Sequence, residues 1–235
     1  MKKADFVRGL KHGVPIGLGY LSVSFAFGIQ AVASGLTPLM AVLVSMTNVT
    51  SAGQLAGITL MSQLAPLSEV ALTQLTINLR YALMSLSLSQ KMGSEMNTLR
   101  RMIFSFCNTD EIFAVASSQP GKLGHHYLYG LMVAPYIGWS SGTLLGAVAG
   151  TLLPLFVRTA LGIAIYGMFL AIVIPPSRKA SNVRLVVIIS AFLSIALRYL
   201  PVLKSISSGY AIILCALTAS AIGAWLHPAG EEEAQ

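Results

Sequence analysis

Apolar runs long enough to cross a bilayer follow one another along most of the 235-residue chain, and short polar stretches separate them. A helix needs roughly 20 apolar residues to span the hydrocarbon core of a membrane. Six segments meet or approach this length and predict full transmembrane helices: residues 13–34, 68–90, 125–152, 157–175, 185–200 and 206–226. The pattern therefore predicts an all-α, polytopic integral membrane protein, with residues 1–235 forming a single transmembrane domain.

Residues 38–64 are apolar at both ends but have the polar sequence S-M-T-N-V-T-S-A-G-Q at their centre. On a continuous helix, their spacing would place four polar side chains on one face: Thr47, Thr50, Ser51 and Gln54. The small residues around Gly53 also fit a broken helix, which exposes backbone groups to substrate in many transporters. The alternative to a break is a helix whose hydroxyls bond back to its own carbonyls.

Residues 102–118 form a second segment of this kind, with four polar residues at the centre, from Asn108 to Glu111. Thr109 is a suitable N-cap for a half-helix that begins at Asp110. Such a half-helix would direct two acids and several free amides into a cavity. An interfacial amphipathic helix, with its acids facing water, is the alternative.

Arg80 lies near the middle of the apolar segment 68–90. An arginine at bilayer depth costs roughly 2.5–3.5 kcal/mol on insertion scales, so it must face a protein interior or a water-filled cavity. The nearest acids within the apolar segments are Asp110 and Glu111. Two roles for Arg80 stay open at this point: contact with a substrate, or a structural ion pair with Asp110.

Glycines recur at every fourth position in segment 125–152, at Gly138, Gly142, Gly146 and Gly150. This spacing gives a helix a smooth face on which another helix can approach closely. The face predicts a packing interface, either with another helix of the same chain or with another subunit.

Charge distribution distinguishes two topologies. If every segment crosses once and the N-terminus is inside, eight cations lie inside and six outside. If residues 38–64 and 102–118 instead leave the membrane on the side from which they entered it, 11 cations lie inside and 3 outside. The positive-inside rule favours the second topology, with six full spans, two broken or re-entrant segments and both termini cytoplasmic. Seven or eight crossings are the alternatives.

The ends of the chain are predicted to lie outside the membrane. Residues 1–11 form a basic cytoplasmic segment, and residues 227–235 form a disordered polar tail. Only 10% of all residues are charged, against roughly 25% in soluble domains. The net charge of +7 therefore indicates cytoplasmic loops, among them a basic loop predicted at residues 177–184, and no nucleic-acid partner is predicted.

Motifs of enzymes and of metal or nucleotide sites are missing from the sequence. The two cysteines are far apart, and the pair His125-His126 falls at a predicted membrane edge. There is no H-E-x-x-H, G-x-S-x-G or phosphate-binding loop. We therefore predict no enzyme, no metal and no cofactor. A membrane-embedded enzyme and a non-transporting assembly subunit are the alternatives to a transporter.

Three stretches resemble the AzlC family, which forms the large subunit of branched-chain amino-acid exporters. Residues 78–81, Asn-Leu-Arg-Tyr, are similar to the family's N-L-R-H/Y motif, and residues 109–114 are similar to T-D-E-x-F-A. Residues 45–57 resemble an A-G-x-x-Q-F region, although Thr50 and Ser51 stand where alanine and glycine are usual. The resemblance covers about residues 6–226.

This resemblance implies a multi-pass transporter in a bacterial inner membrane that exports leucine, isoleucine, valine and related amino acids. It also implies a small AzlD-type membrane subunit as partner and the proton gradient as driving force. Arg80 can bind the substrate carboxylate, and Asp110 or Glu111 can bind its ammonium group or a coupling proton. The alternative is that Arg80 pairs with Asp110 as an internal lock and substrate binds elsewhere in the cavity. The predicted substrate-binding or coupling residues are Arg80, Asn78, Asp110, Glu111, Gln54, Thr50, Ser51 and Tyr81.

Overall fold

The computed structural model describes residues 2–150, 152–200, 203 and 205–227. These residues form helices and connecting turns, with no β-strand among them. The helices are α1 (Lys2–Ala33), α2 (Pro38–Thr47), α3 (Ala52–Ser62), α4 (Leu67–Lys91), α5 (Thr98–Ser105), α6 (Asp110–Ser118), α7 (His125–Ala149), α8 (Leu155–Lys179), α9 (Ser181–Tyr199) and α10 (Ser208–Leu226).

Four of the described helices, α1, α7, α9 and α10, are long and apolar enough to cross a membrane. The all-α membrane class is therefore confirmed, while the number of spans in the whole chain stays a prediction. Helix α1 begins at Lys2, so the basic N-terminal segment is helical. The predicted disordered tail lies, apart from His227, outside the described residues.

Both segments with polar centres contain a break. Residues 48–51 separate α2 from α3, and Ser51 takes a left-handed backbone conformation with φ of 35°. Residues 106–109 separate α5 from α6. Since Thr50 and Ser51 lie in the first break, the single polar helix face that would have joined them to Thr47 and Gln54 does not form.

The predicted basic loop at residues 177–184 is wrong. Helix α8 runs to Lys179 and α9 begins at Ser181, so only Ala180 separates them. The pair Pro175-Pro176 lies inside α8. A proline has no N–H, but its carbonyl still accepts a hydrogen bond. The amide of Ala180 donates to the Pro176 carbonyl at 2.9 Å, which carries the hydrogen bonding past the prolines.

The chain forms two compact units. Unit 1 comprises residues 1–58 and 78–165, and unit 2 comprises residues 59–77 and 166–235. The division falls within α3, α4 and α8, so these helices contribute to both units. The prediction of a single transmembrane domain stays a prediction.

Unit 1 is built on a close pair of parallel helices, α1 and α7. Gly9 meets the backbone at Tyr127, and further along both helices Gly28 meets the backbone at Thr143. Because both residue numbers rise together, the two helices run in the same direction. The predicted glycine face of α7 lies on α1 and contacts it through Gly138, Gly142, Gly146 and Gly150. The small residues allow the two backbones to approach closely.

Helices α5 and α6 form a hairpin that enters and leaves at the same end of unit 1. Arg101, near the start of α5, donates to the Met96 carbonyl at 2.8 Å and to the Ser89 carbonyl of α4 at 3.4 Å. Beyond the end of α6, the Gln119 carbonyl accepts from Lys91 Nζ at 2.7 Å. With 8 and 9 residues, the two helices are each about 12–14 Å long. Neither is long enough to cross the roughly 30 Å hydrocarbon core.

The loops on either side of this hairpin meet each other just before the start of α7, which packs against the N-terminal part of α1. The Gly93 amide donates to the Leu123 carbonyl at 3.0 Å, and His12 Nδ1 lies 2.9 Å from the Tyr127 hydroxyl. Eight cations gather at this end of unit 1, which we call the basic end: Lys2, Lys3, Arg8, Lys11, Lys91, Arg100, Arg101 and Lys122.

The basic end constrains the path of the chain. Helix α1 leaves it, and α4 returns to it at Lys91, so residues 38–91 make one net crossing. The hairpin adds none, because it starts and finishes at this end. The re-entry of residues 38–64 and 102–118 into the membrane stays a prediction, as does the number of crossings.

We expect an impermeant thiol reagent to leave a cysteine at Ser94 unlabelled in whole cells, because the basic end should face the cytoplasm. Ser94→Cys would be made with Cys107 and Cys215 replaced by serine. Ser34→Cys, the same change beyond the opposite end of α1, is the matched control and should be labelled. Labelling of Ser94→Cys but not of Ser34→Cys would reverse the orientation.

Gly17→Leu should strongly destabilise the α1–α7 pair. A Cβ on Gly17 would lie only 2.6 Å from the Ala134 carbonyl oxygen, and that backbone cannot move aside cheaply. Overpacking of this kind costs about 1–3 kcal/mol or more. Thermal unfolding in detergent measures the effect. Gly19→Leu is the control on the same helix, since no atom lies within 4 Å of its Cβ position. Equal stability of the two variants would refute the close-approach interpretation.

Candidate functional site

The tip of the α5–α6 hairpin, residues 106–109, brings polar groups to the middle of unit 1. Thr109 is the N-cap of α6, as predicted, and its hydroxyl accepts from the Ile112 amide. Asp110 and Glu111 therefore lie in the first turn, where the partial positive charge of the helix N-terminus stabilises carboxylates. Asn108 Nδ2 donates to the Ser85 hydroxyl of α4 at 3.1 Å, which attaches the tip to α4.

Arg80 of α4 forms an ion pair with Asp110 of α6. Its other terminal nitrogen donates to the Tyr81 hydroxyl at 3.0 Å, and the guanidinium carbon lies 4.7 Å from the centre of the Tyr81 ring. The side chains of Arg80 and Asp110 are 41% and 38% exposed. The pair is therefore formed but still reachable by a small polar molecule.

Tyr20 of α1 holds the acidic turn from the other side. Its hydroxyl lies 2.6 Å from Thr109 Oγ1 and donates to the Glu111 carboxylate. The residue is 9% exposed. Sequence analysis missed Tyr20, because a tyrosine within an apolar run gives no signal that separates a polar contact from packing.

A second polar network lies at the break between α2 and α3. Trp139 Nε1 of α7 donates to Gln54 Oε1 at 2.9 Å, and Gln54 Nε2 donates to the Ser45 hydroxyl at 3.0 Å. Ser45 is in turn 2.7 Å from the Thr143 hydroxyl. All four side chains are at most 2% exposed. The network fixes the start of α3 against α7. Thr143 was also missed, since it lies among the packing glycines.

The two networks meet between α1 and α7. The rings of Tyr20 and Trp139 pack edge to face, with 5.2 Å between their centroids. Six groups thus form one continuous polar centre in unit 1, and we refer to it by that name: Arg80, Asp110, Glu111, Tyr20, Trp139 and Gln54.

The remaining predicted residues lie around the polar centre. Tyr81 contacts Arg80, as described, and Asn78 lies two residues before Arg80 on α4 with a half-buried side chain. Thr50 and Ser51 lie in the break before α3, and the Thr50 hydroxyl donates to Asn48 Oδ1 at 2.8 Å. Among the described residues, no group of three or more His, Cys, Asp or Glu side chains could hold a metal ion. The role of each residue in binding or coupling stays a prediction.

Comparison with known proteins identifies the family. The model of the AzlC protein family matches residues 15–153. The chain belongs to the AzlC family. The matched region contains α2 to α7 and every residue of the polar centre. Membership gives the chain a transport-related role in a membrane, and this family is of the transporter type rather than of enzymes.

Individual relatives of this AzlC family member are also membrane proteins. An uncharacterised membrane protein of Archaeoglobus fulgidus is 34% identical over 185 residues, which covers 78% of this chain and 80% of the relative. The inner membrane protein YgaZ of Escherichia coli is 27% identical over 237 positions, which covers 97% of this chain and 95% of the relative. An uncharacterised membrane protein of Helicobacter pylori is 28% identical over 155 residues, which covers 63% of this chain and 67% of the relative. No solved structure matches the chain.

Arg80→Ala should destabilise this AzlC family member by leaving Asp110 without its cation, and adding Asp110→Asn should restore part of the loss. The interaction energy from the double-mutant cycle should be about 0.5–3 kcal/mol. Thermal unfolding in detergent provides the four stabilities. The control cycle pairs Arg100→Ala with Asp110→Asn, because Arg100 bonds to the Glu95 carbonyl and should be additive. Additivity in the Arg80 cycle would show that the pair does not stabilise the fold.

Proposed function

We propose that the chain is the large subunit of a two-component secondary exporter for branched-chain and related amino acids, driven by the proton gradient. The observation that carries this proposal is the half-exposed Arg80–Asp110 pair at the junction of a broken helix and two long helices. Transporters bind charged substrates at such junctions, where helix ends present unpaired backbone groups. Family membership supports the same conclusion.

The ion pair suits a zwitterionic substrate. An amino acid carries one carboxylate and one ammonium group, so it can replace both halves of the pair at once. Arg80 then binds the carboxylate through two parallel hydrogen bonds, and Asp110 or Glu111 takes the ammonium group. No buried charge is left without a partner during this exchange, which avoids the large cost of an isolated ion. The two roles considered for Arg80, substrate contact and internal pair, thus belong to successive states.

An apolar groove beside the hairpin suits an aliphatic side chain. It has a volume of about 420 Å³ and is lined by Ile103, Phe106, Met132, Val133 and the ring of Tyr136, among others. This volume lies within the usual range for small-molecule sites. One methylene changes binding in such a groove by only about 1–3 kcal/mol. We therefore expect leucine, isoleucine, valine and methionine to compete with one another.

The partner, the driving force and the orientation rest on the family resemblance and on charge. We propose a small AzlD-type membrane subunit as the partner, and a bacterial inner membrane as the location. The N-terminus is proposed to be cytoplasmic, because the eight cations of the basic end face only Asp5 and Glu95 there.

Release of labelled leucine from preloaded vesicles tests the proposal. Vesicles containing the chain and its small partner should release leucine faster with a proton gradient than without one. Arg80→Lys keeps the charge but loses the two-pronged geometry, so we expect at least a tenfold loss of rate, since a charge-assisted hydrogen bond contributes roughly 1.5–3 kcal/mol. Arg80→Ala should abolish release.

The matched control is Arg100→Lys, the same substitution at the basic end. It should release leucine at the wild-type rate. Wild-type rates for Arg80→Ala, Asp110→Asn and Glu111→Gln, all folded, would remove the polar centre as the site. The absence of leucine release by folded wild type with its partner, with and without the gradient, would overturn leucine export.

A further inference from the structure

One carboxylate in unit 2 is buried. Glu69 lies in the first turn of α4 and is 3% exposed. Its Oε1 accepts from the Ser207 hydroxyl at 2.5 Å and from the Gly209 amide at 3.0 Å. Both donors belong to the start of α10, whose N-terminal partial charge favours an anion. The carboxylate therefore ties the start of α4 to the start of α10.

The contacts of Glu69 differ in kind from those of Asp110. Asp110 has a permanent cation, Arg80, whereas no basic side chain among the described residues lies within ion-pair distance of Glu69. Neutral donors hold a carboxylate without supplying the charge that would fix it as an anion. Burying a charge that has no charged partner is costly, because water no longer solvates it.

Thr73 supplies the second observation. It follows Glu69 by one turn of α4, is completely buried, and its hydroxyl has no hydrogen-bond partner. The oxygens of both side chains face the same point, since a Cβ on Gly209 would lie 2.5 Å from Glu69 Oε1 and 2.7 Å from Thr73 Oγ1. Buried hydroxyls are normally paired. A protonated Glu69 carries an O–H that needs an acceptor, and the unpaired Thr73 Oγ1 faces the same point as Glu69 Oε1.

We propose that Glu69 is the proton-binding carboxyl of this transporter, with the Thr73 hydroxyl as acceptor for the bound proton. A proton from water adds to the carboxylate and gives the neutral acid. The negative charge that holds the N-terminus of α10 is then lost, and the start of α10 is released from α4. The same helix, α4, carries Arg80 further along its sequence. The transport part of this inference rests on the proposed function.

The other groups near this site are neutral or do not contact Glu69. Gln63, at the end of the α3 segment, accepts from the Ser208 hydroxyl at 3.1 Å. The titratable groups at this end of unit 2 are Tyr210 of α10 and, on α9, Arg198 and Tyr199, which line a cavity with Ser208. None forms a hydrogen bond or ion pair with Glu69, and Lys204 lies outside the described residues.

The first experiment needs neither substrate nor partner. Cys215 of α10 lines the cavity of about 800 Å³ between α9 and α10. In the full chain with Cys107→Ser, the rate at which N-ethylmaleimide labels Cys215 reports how readily α10 moves. Glu69→Gln imitates the protonated acid at every pH. The quantity of interest is the labelling rate of the chain with Glu69 divided by that of the Glu69→Gln variant. This ratio should be severalfold below one at high pH, and it should approach one as the pH falls. A ratio that does not change with pH would overturn the proposal.

Thr73→Val tests the acceptor. Without that hydroxyl the protonated form is less stable, so the ratio should approach one only at lower pH than in the wild type. Thr73→Ser keeps the hydroxyl and should restore the wild-type profile. Identical profiles for wild type and Thr73→Val would remove Thr73 from the site. Both variants leave Glu69 in place. If Glu69→Gln does not fold, the ratio of the labelling rates of Thr73→Val and Thr73→Ser tests the site, and a ratio that does not change with pH would remove Thr73 from it.

The second experiment uses vesicles with the partner subunit. Glu69→Gln should exchange leucine across the membrane at equal pH but lose the acceleration by a proton gradient. Glu95→Gln, at an acid that is 53% exposed in the loop after α4, should keep both. Gradient-accelerated release by Glu69→Gln would refute the coupling role. Failure of wild type to move leucine would count against the proposed function, while the Cys215 profile would still decide whether Glu69 binds a proton.

Discussion

The ion pair between Arg80 and Asp110 is the interaction on which the arrangement of unit 1 depends. A guanidinium group at the predicted membrane depth of Arg80 needs a polar partner or a water-filled cavity, and an anion is the strongest such partner. Asp110 supplies that anion because α6 begins there, and α6 begins there because Thr109 caps it. A continuous helix through residues 106–109 would use these amides in its own hydrogen bonds, and the carboxylates would lose the stabilisation that a helix N-terminus gives. The break at residues 106–109 is thus what places Asp110 at a helix N-terminus, where it serves as the counter-ion of Arg80.

Packing and polar contacts are divided between different helices of unit 1. Helices α1 and α7 supply the rigid part, because their glycines bring the two backbones together along most of their length. The shorter helices supply the chemistry, and two aromatic residues of the rigid pair hold them in place. Tyr20 bonds to the start of α6, and Trp139 bonds to Gln54 near the start of α3. The half-helices are therefore positioned by side-chain hydrogen bonds as well as by the burial of apolar residues such as Phe104, Ile112 and Ala116.

The sequence allowed the features with strong local signals to be predicted. As predicted, the structure contains breaks in residues 38–64 and 102–118, the Thr109 cap and the glycine face of α7. Each of these features depends on neighbours within one turn. Tyr20 and Thr143 could not be found, because their partners lie 89 and 98 positions away in the chain. The loop predicted at residues 177–184 failed for a different reason: prolines and basic residues usually end a helix, yet the Pro176 carbonyl still accepts the bond that continues this one.

The parallel pairing of α1 and α7 has a consequence for how the protein is made. Two parallel helices need a connection that returns the chain to the end where the first helix began, and here 91 residues, 34–124, separate the end of α1 from the start of α7. At roughly 5–20 residues per second, a ribosome needs about 5–18 s to synthesise this stretch. Throughout that time the glycine face of α1 is already in the bilayer without its partner. Early biogenesis of this chain therefore includes an orphan first helix, exposed to lipid or to the insertion machinery until α7 emerges.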